Sequence, residues 1–303
     1  MTNDNRVAHP LSLSGVIDIR YLRLGLPMWF LPEWKGGLIR ADSSAANALQ
    51  DYASVFGSVE GNTTFYALPA PERAAHWLSL TPDDFRFSFK VPKSISHSAN
   101  IYQALLKDTA FLPFLEVVAR RCGLVMLQLP PNFTPDRLTE LEQFIVEFTK
   151  LTAVPLAVEF RHIAFFSKGP AESAALRLLA DLNCDRVNFD SRGLFADTAQ
   201  LPQISEAQAK KPRMPVHPIS TGDNPVVRFI GHSDWALNEH YWKQWGEKLV
   251  EWTQQKKTCW VFIHTATNRD APALARHISR RWGIELPPEP GTSAQTADLF
   301  ADD

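Results

Sequence analysis

The stretch VEGNTTFYALP, residues 59–69, breaks the pattern around it. Valine and the aromatics suit a strand and its exit, yet Glu60, Asn62, Thr63 and Thr64 cluster where a buried strand is apolar. The same departure recurs along the chain. FRFSFKVP (85–92) carries Lys90 and GLVMLQLP (123–130) carries Gln128 near the end of an apolar run. PLAVEFRH (155–162) holds Glu159, Arg161 and His162, and DRVNFD (185–190) ends in Asp190. PVVRFIGH (225–232) contains Arg228, and TCWVFIHT (258–265) contains His264, with Asn268 just beyond. Carboxylates beside cations are the minimum set for proton-transfer chemistry such as hydrolysis or isomerisation. Glu60, Glu159 and Asp190 are therefore the catalytic candidates. Lys90, Arg161 and Arg228 supply positive charge for a phosphate or carboxylate. Asn62, Tyr66, Gln128, His162, His264 and Asn268 complete a substrate-binding set, with Phe65 and Tyr66 walling the pocket or stacking on a ligand. A divalent metal would draw its ligands from Glu60, Glu159, Asp190, His162 and His264.

Each member also has a plainer reading. Asn62, Thr64 and Asn268 are ordinary loop and cap residues. Glu159 and Arg161 suit a structural ion pair, and a lone histidine at a strand end is more often a hydrogen-bonded core residue. Isolated buried charges are expensive, so several of them at corresponding strand ends argue for a shared role.

Such a set needs elements that bring distant positions together. Eight short apolar runs, at 20–27, 57–61, 85–92, 123–130, 155–162, 185–190, 225–232 and 258–265, alternate with helical patterns. Helices are expected over about 43–55, from Pro71, and over about 108–121, 135–150, 171–182, 238–254 and 270–282. The stretch 191–224 reads as irregular. Trp242, Trp245, Leu249 and Trp252 recur at helical spacing and are expected on a packed face. Alternating strands and helices imply a parallel sheet, and nearly continuous apolar strands imply cover on both faces. Eight units over residues 20–285 predict an α/β fold: one closed (β/α)8 TIM-like barrel, with an N-terminal extension at 1–19 and a flexible acidic tail at 286–303. A doubly wound open sheet is the alternative, but no GxGxxG follows the first run. In a barrel, chemistry sits at the C-terminal ends of the strands, where the polar residues fall.

Composition narrows the setting. The formal net charge of −2 gives no overall pull toward nucleic acid or anionic membrane. Cys122, Cys184 and Cys259 match no zinc spacing and are expected to be reduced, buried thiols. There is no secretory signal pattern and no apolar run of membrane-spanning length, so a cytoplasmic protein is expected. KKPRMP (210–215) reads as a solvated loop, with phosphate contact as the alternative.

At these residues the chain resembles the YecE-like domain-of-unknown-function family (domain of unknown function 72), a group of TIM barrels. The resemblance runs from about 20 to 285. It is carried by Glu60, Asn62, Thr64, Phe65 and Tyr66 with Pro69 after them, by FRFSFKVP, LQLPPNF and VEFRH, by Asp190, and by VVRFIGH. It implies the barrel fold and no particular activity. The chain departs from the family pattern after Gly25, where Leu26, Pro27 and Met28 precede Trp29 in place of small hydroxyl residues.

Two classes of function follow as expectations. The first is an enzyme acting on a phosphorylated or sugar-containing ligand at the barrel mouth by carboxylate acid/base chemistry. The second is a DNA-associated protein, nuclease-like or binding only. QTADLF, residues 295–300, bears on this second reading: Gln295, three spacers and then Leu299 and Phe300 resemble peptides that dock on the bacterial sliding clamp. Leu and Phe would fill an apolar pocket on the clamp and a flexible linker would tether it.

Overall fold

The protein is described by a computed structural model over residues 9–292. Eight strands close into a parallel ring in sequence order: β1 (Leu22–Leu26), β2 (Ser58–Gly61), β3 (Arg86–Lys90), β4 (Cys122–Gln128), β5 (Leu156–Glu159), β6 (Asp185–Asp190), β7 (Val226–Ile230) and β8 (Cys259–His264). β8 pairs back onto β1, with Leu24 opposite Val261, so the ring has no free edge. Each strand falls within its expected run, except that β4 begins one residue before it, at Cys122. Alternation along a strand divides the core in two. Leu124, Met126, Ala157, Val187, Val226, Trp260 and Phe262 fill the inside of the barrel. Their neighbours, such as Val125, Leu127, Val158, Val227 and Val261, pack outward against the helices in a much larger apolar layer. Gly25 in β1 is required by the closeness of β2, since a Cβ there would lie 2.2 Å from the Ser58 carbonyl oxygen.

The outer layer uses signals visible in the chain. Pro71 and Pro170 open the helices Pro71–Ser79 and Pro170–Asp181, where a missing N–H costs nothing. The helix Glu239–Gln254 buries Trp242, Trp245, Leu249 and Trp252, as their spacing predicts. Burying each such side chain contributes about 2 to 3 kcal/mol. Two connections hold more helix than expected. The segment after β3 folds as Lys93–Ser96, Ile101–Lys107 and Phe111–Val118 rather than as one helix over 108–121. Asn100 and Asp108 punctuate it. Asn100 Oδ1 accepts the Gln103 N–H at 2.8 Å and Asp108 Oδ2 accepts the Phe111 N–H at 2.7 Å, each satisfying an orphan donor of a helix start. The stretch 191–224 contains the helices Arg192–Ala196 and Pro202–Lys210 before it continues without regular structure.

Both chain ends of the described structure are tied to the barrel. In the N-terminal extension the Leu11 N–H donates to the Arg281 carbonyl at 2.7 Å, the Asp18 N–H to Thr253 Oγ1 at 3.2 Å, and Ile17 is buried. Residues 286–292, assigned to the tail by composition, lie against the fold. Arg276 donates to the carbonyls of Leu286 at 3.1 Å and Pro287 at 2.7 Å, and the Gly291 N–H donates to Gly37 at 2.8 Å. Gln295, Leu299 and Phe300 lie outside the described residues. The three cysteines are free and buried, and burial pushes the Cys122 and Cys259 thiols up to about 12. Among the described residues no helix is long and apolar enough to cross a membrane.

Candidate functional site

Inside the ring, one step of two residues toward the C-terminal end turns small or apolar side chains into polar ones. Ser58 gives way to Glu60, Ser88 to Lys90, Met126 to Gln128, Ala157 to Glu159, Val226 to Arg228 and Phe262 to His264. Gln128 and Glu159 lie directly opposite each other, while Glu60 is opposite Ser88 and His264 opposite Ile230, so the tilt of the strands staggers the polar positions around the mouth. The result is an ion-pair cluster across the barrel mouth, centred on Arg228.

Arg228 uses its whole guanidinium. Nε donates to Glu60 Oε2 at 2.8 Å and Nη2 to Glu60 Oε1 at 2.7 Å, while Nη1 donates to Glu159 Oε2 at 2.6 Å. The other Glu159 oxygen accepts from Arg161 through Nε and Nη2. Lys90 Nζ lies 3.4 Å from Glu60 Oε1 and donates to Gln128 Oε1 at 3.1 Å. His264 Nε2 is 3.3 Å from Glu60 Oε2. Arg161 and Arg228 both lie over the Phe189 ring, at 4.9 and 5.2 Å, and Lys90 Nζ lies 5.9 Å from the centre of Phe65. Glu60 is fully buried and Arg228 is 3% exposed, so these charges act on one another with little solvent screening.

This environment decides protonation. Burial works against the Glu60 carboxylate, but Arg228, then Lys90 and His264, outweigh it and hold its pKa well below the usual carboxylate range. Burial likewise opposes Glu159, and Arg161 and Arg228 bring it down to about 2. Both stay ionised at neutral pH, which makes them poor proton donors there. Burial, then the Arg228 charge, brings Lys90 down to about 8 despite the pull of Glu60. Burial also pushes His264 down to about 4 against Glu60, so it is neutral at pH 7. The carboxylates are already bonded to guanidinium groups, so they do not suit a divalent metal. Among the described residues no three His, Cys, Asp or Glu side chains gather as a ligand set.

Of the expected site residues, Glu60, Lys90, Gln128, Glu159, Arg161, Arg228 and His264 come together. Asp190 does not. On β6 it alternates with the inward Phe189 and faces the helices, where Oδ1 accepts from the Arg192 N–H at 3.0 Å and Nε at 2.9 Å. Oδ2 accepts from Arg192 Nη2 and Trp245 Nε1, both at 2.8 Å. Asn62 Nδ2 donates to the Pro27 carbonyl at 2.9 Å, tying the ends of β1 and β2. Tyr66 is 82% exposed beside Phe65, with ring centres 5.1 Å apart. His162 caps a short turn, with Nδ1 accepting the Ala164 N–H at 3.3 Å. Asn268 has a left-handed φ of 62°, and its Oδ1 accepts the Thr265 N–H at 3.2 Å. Thr64 grips the base of Lys90: its hydroxyl donates to the Lys90 carbonyl at 2.7 Å and accepts the Lys90 N–H at 3.1 Å.

The sequence reading missed Lys211. KKPRMP reads as a solvated loop, yet burial and the charge of Arg228 lower the Lys211 pKa, and Glu60, Arg161 and Glu159 act on it too. Its ammonium has no hydrogen bond or ion pair with the described residues. The basic run was the signal. What it lacked was any hint that the preceding helix carries its end to the mouth.

These features define a (β/α)8 barrel with a buried, positively biased cluster at its C-terminal mouth. The chain belongs to the family of proteins of unknown function DUF72, whose model matches residues 23–296. It is 40% identical over 259 residues to the UPF0759 protein YecE of Escherichia coli K12, covering 84% of this chain and 90% of that one. It is 23% identical to the UPF0759 protein YunF of Bacillus subtilis, covering 85% and 93%. Crystal structures of DUF72 family proteins from Enterococcus faecalis and Thermotoga maritima share the fold. The first has a TM-score of 0.66 at 20% identity, covering 88% of this chain and 98% of that one. The second has a TM-score of 0.62 at 21% identity, covering 86% and 97%.

Proposed function

We propose that the barrel mouth binds a small anionic ligand, a phosphorylated compound or a sugar derivative bearing a negative group, and that the protein is an enzyme acting on it. One observation carries this reading: three cations, Lys90, Arg161 and Arg228, share the cluster with two carboxylates, Glu60 and Glu159, while His264 is neutral at pH 7. The surplus is buried, and a buried uncompensated charge is costly unless something binds to it. Lys211 adds a further positive charge to the same field. Arg161, the more exposed of the two arginines, offers the guanidinium face that a phosphate or carboxylate takes in bidentate fashion. Phe65 and the exposed Tyr66 provide an aromatic wall for a sugar ring. In this reading Glu60 and Glu159 hold the cations in place, and proton transfer falls to a group that titrates nearer neutrality.

The test is thermal melting and calorimetry at low ionic strength with inorganic phosphate, ribose 5-phosphate and ribose. Phosphorylated ligands bind and raise the melting temperature, by an amount set by concentration over Kd, while neutral ribose does neither. Arg161→Gln weakens the effect. An absence of binding and stabilisation by every anion tried would overturn the reading. The DNA-associated alternative draws on residues 295–300 and on no feature particular to the mouth.

A further inference from the structure

Lys90 is not needed to neutralise its neighbours. Arg228 already takes both oxygens of Glu60, at 2.7 and 2.8 Å, closer than the 3.4 Å from Lys90. Glu159 is matched by Arg161 and Arg228. Lys90 is therefore the surplus cation, and a packed hydrophobe would serve stability there at least as well. The fold instead holds it with care. The Thr64 hydroxyl grips both backbone groups of Lys90, Gln128 Oε1 takes one N–H of the ammonium, and Glu60 lies near a second. The third position has no partner among the described residues, and the face of Phe65 is 5.9 Å away. A desolvated lysine amine with cationic neighbours is the arrangement that makes an amine nucleophilic.

We propose that Lys90 Nζ is the nucleophile of this site and condenses with the carbonyl carbon of an anionic aldehyde or ketone, either a phosphorylated sugar or a 2-oxo acid, whose negative end is held by Arg161 and Lys211. This rests on the anionic-ligand reading of the mouth. The step balances without a co-reactant. The amine lone pair forms the N–C bond as the C=O pair moves to oxygen. Two protons then reach that oxygen, which leaves as water. Overall, one ammonium and one carbonyl give one protonated imine and one water, with charge conserved. The protonated imine draws electrons from the adjacent carbon, so a C–H or C–C bond there can break. With Lys90 at about 8, about one amine in ten is unprotonated at pH 7, against a few in ten thousand for a lysine at 10.5.

The experiment uses the full wild-type chain, so no variant has to fold. The protein is incubated with sodium cyanoborohydride and one of three probes: dihydroxyacetone phosphate, pyruvate, or acetone as the neutral control. Intact mass and peptide mapping then locate the reduced adduct. A single adduct on the peptide bearing Lys90 is expected. It should form at least about tenfold faster than at any other lysine, be slowed by excess inorganic phosphate, and have a rate–pH midpoint near 8. Preference for dihydroxyacetone phosphate assigns a phosphorylated substrate, and preference for pyruvate a 2-oxo acid. Adducts spread evenly over surface lysines, or none at Lys90 with either anionic probe, overturn the proposal. If phosphate still raises the melting temperature in that case, the mouth binds anions and only the nucleophile assignment is lost. If it does not, the anionic-ligand reading falls as well.

Discussion

Replacing Glu159 with glutamine removes one of two negative charges from a cluster that already has a positive surplus. Glutamine keeps one acceptor oxygen, but its amide N–H groups then face a guanidinium, donor against donor. The cost follows from the protonation equilibrium. The drop from 4.5 to about 2, at about 1.4 kcal/mol per tenfold change in proton affinity, makes the ionised carboxylate worth about 3 kcal/mol. Breaking a buried pair from one side costs about 3 to 5 kcal/mol, in agreement. For a chain of 303 residues that is a fall in melting temperature of about 5 to 8 °C. The sign with pH is fixed. A depressed carboxyl stabilises fully above its unfolded value of 4.5 and loses that contribution as pH falls toward 2. The gap between wild type and Glu159→Gln should therefore be widest at pH 6–7 and narrow below about pH 4.5. Scanning calorimetry of both proteins across that range reads it directly. Because the variant has more surplus positive charge, phosphate should stabilise it more than it stabilises the wild type. A variant that melts within about 1 °C of wild type at pH 7, or a gap that ignores pH, would show that Glu159 is not held as the partner of the arginines.

Two other outcomes are testable. Asp190→Asn should cost about 1 to 3 kcal/mol, because Arg192 and Trp245 lose their charged acceptor, yet leave phosphate binding at the mouth unchanged; a denaturant melt and a calorimetric titration separate the two effects. The DNA-associated alternative requires that a peptide of residues 288–303 bind the bacterial sliding clamp in fluorescence anisotropy and lose binding when Leu299 and Phe300 become alanine; equal, negligible binding by both peptides would end that idea.

The barrel was legible because strand alternation and helix periodicity have different periods, and eight repeats of that contrast leave little room for another topology. The mouth was legible as a set of strand ends, since Glu60, Lys90, Glu159, Arg228 and His264 each fall where a buried strand should have stayed apolar. Direction was harder to read. Asp190 ends its strand as Glu159 does, but it sits one step out of phase with Phe189, and only the register with β7 shows that it faces the helices. Protonation was not legible at all. Sequence identifies Glu60 as an acid, while its locked ionisation depends on Arg228, 168 positions away. The short helices between β3 and β4 were marked by Asn100 and Asp108, whose capping signals are local and were outweighed by the broader apolar pattern.

The order in which the cluster is assembled bears on how the chain folds. Glu60 and Glu159 are made early in synthesis, but Arg228 lies 168 and 69 positions downstream of them, and His264 lies 204 beyond Glu60. A nascent chain that ends before β7 holds two carboxylates at positions where the finished barrel excludes water. It has Lys90 for Glu60 and Arg161 for Glu159, but not the Arg228 guanidinium that takes both oxygens of Glu60 and one of Glu159, so burying them in that state is less favourable. Partial barrels are thus discouraged from compacting into stable half-rings, and the gain from pairing these charges arrives only as β7 and β8 join β1. Non-local pairings of this length slow folding. The same layer of charge that readies the mouth for a ligand also acts as a checkpoint on ring closure.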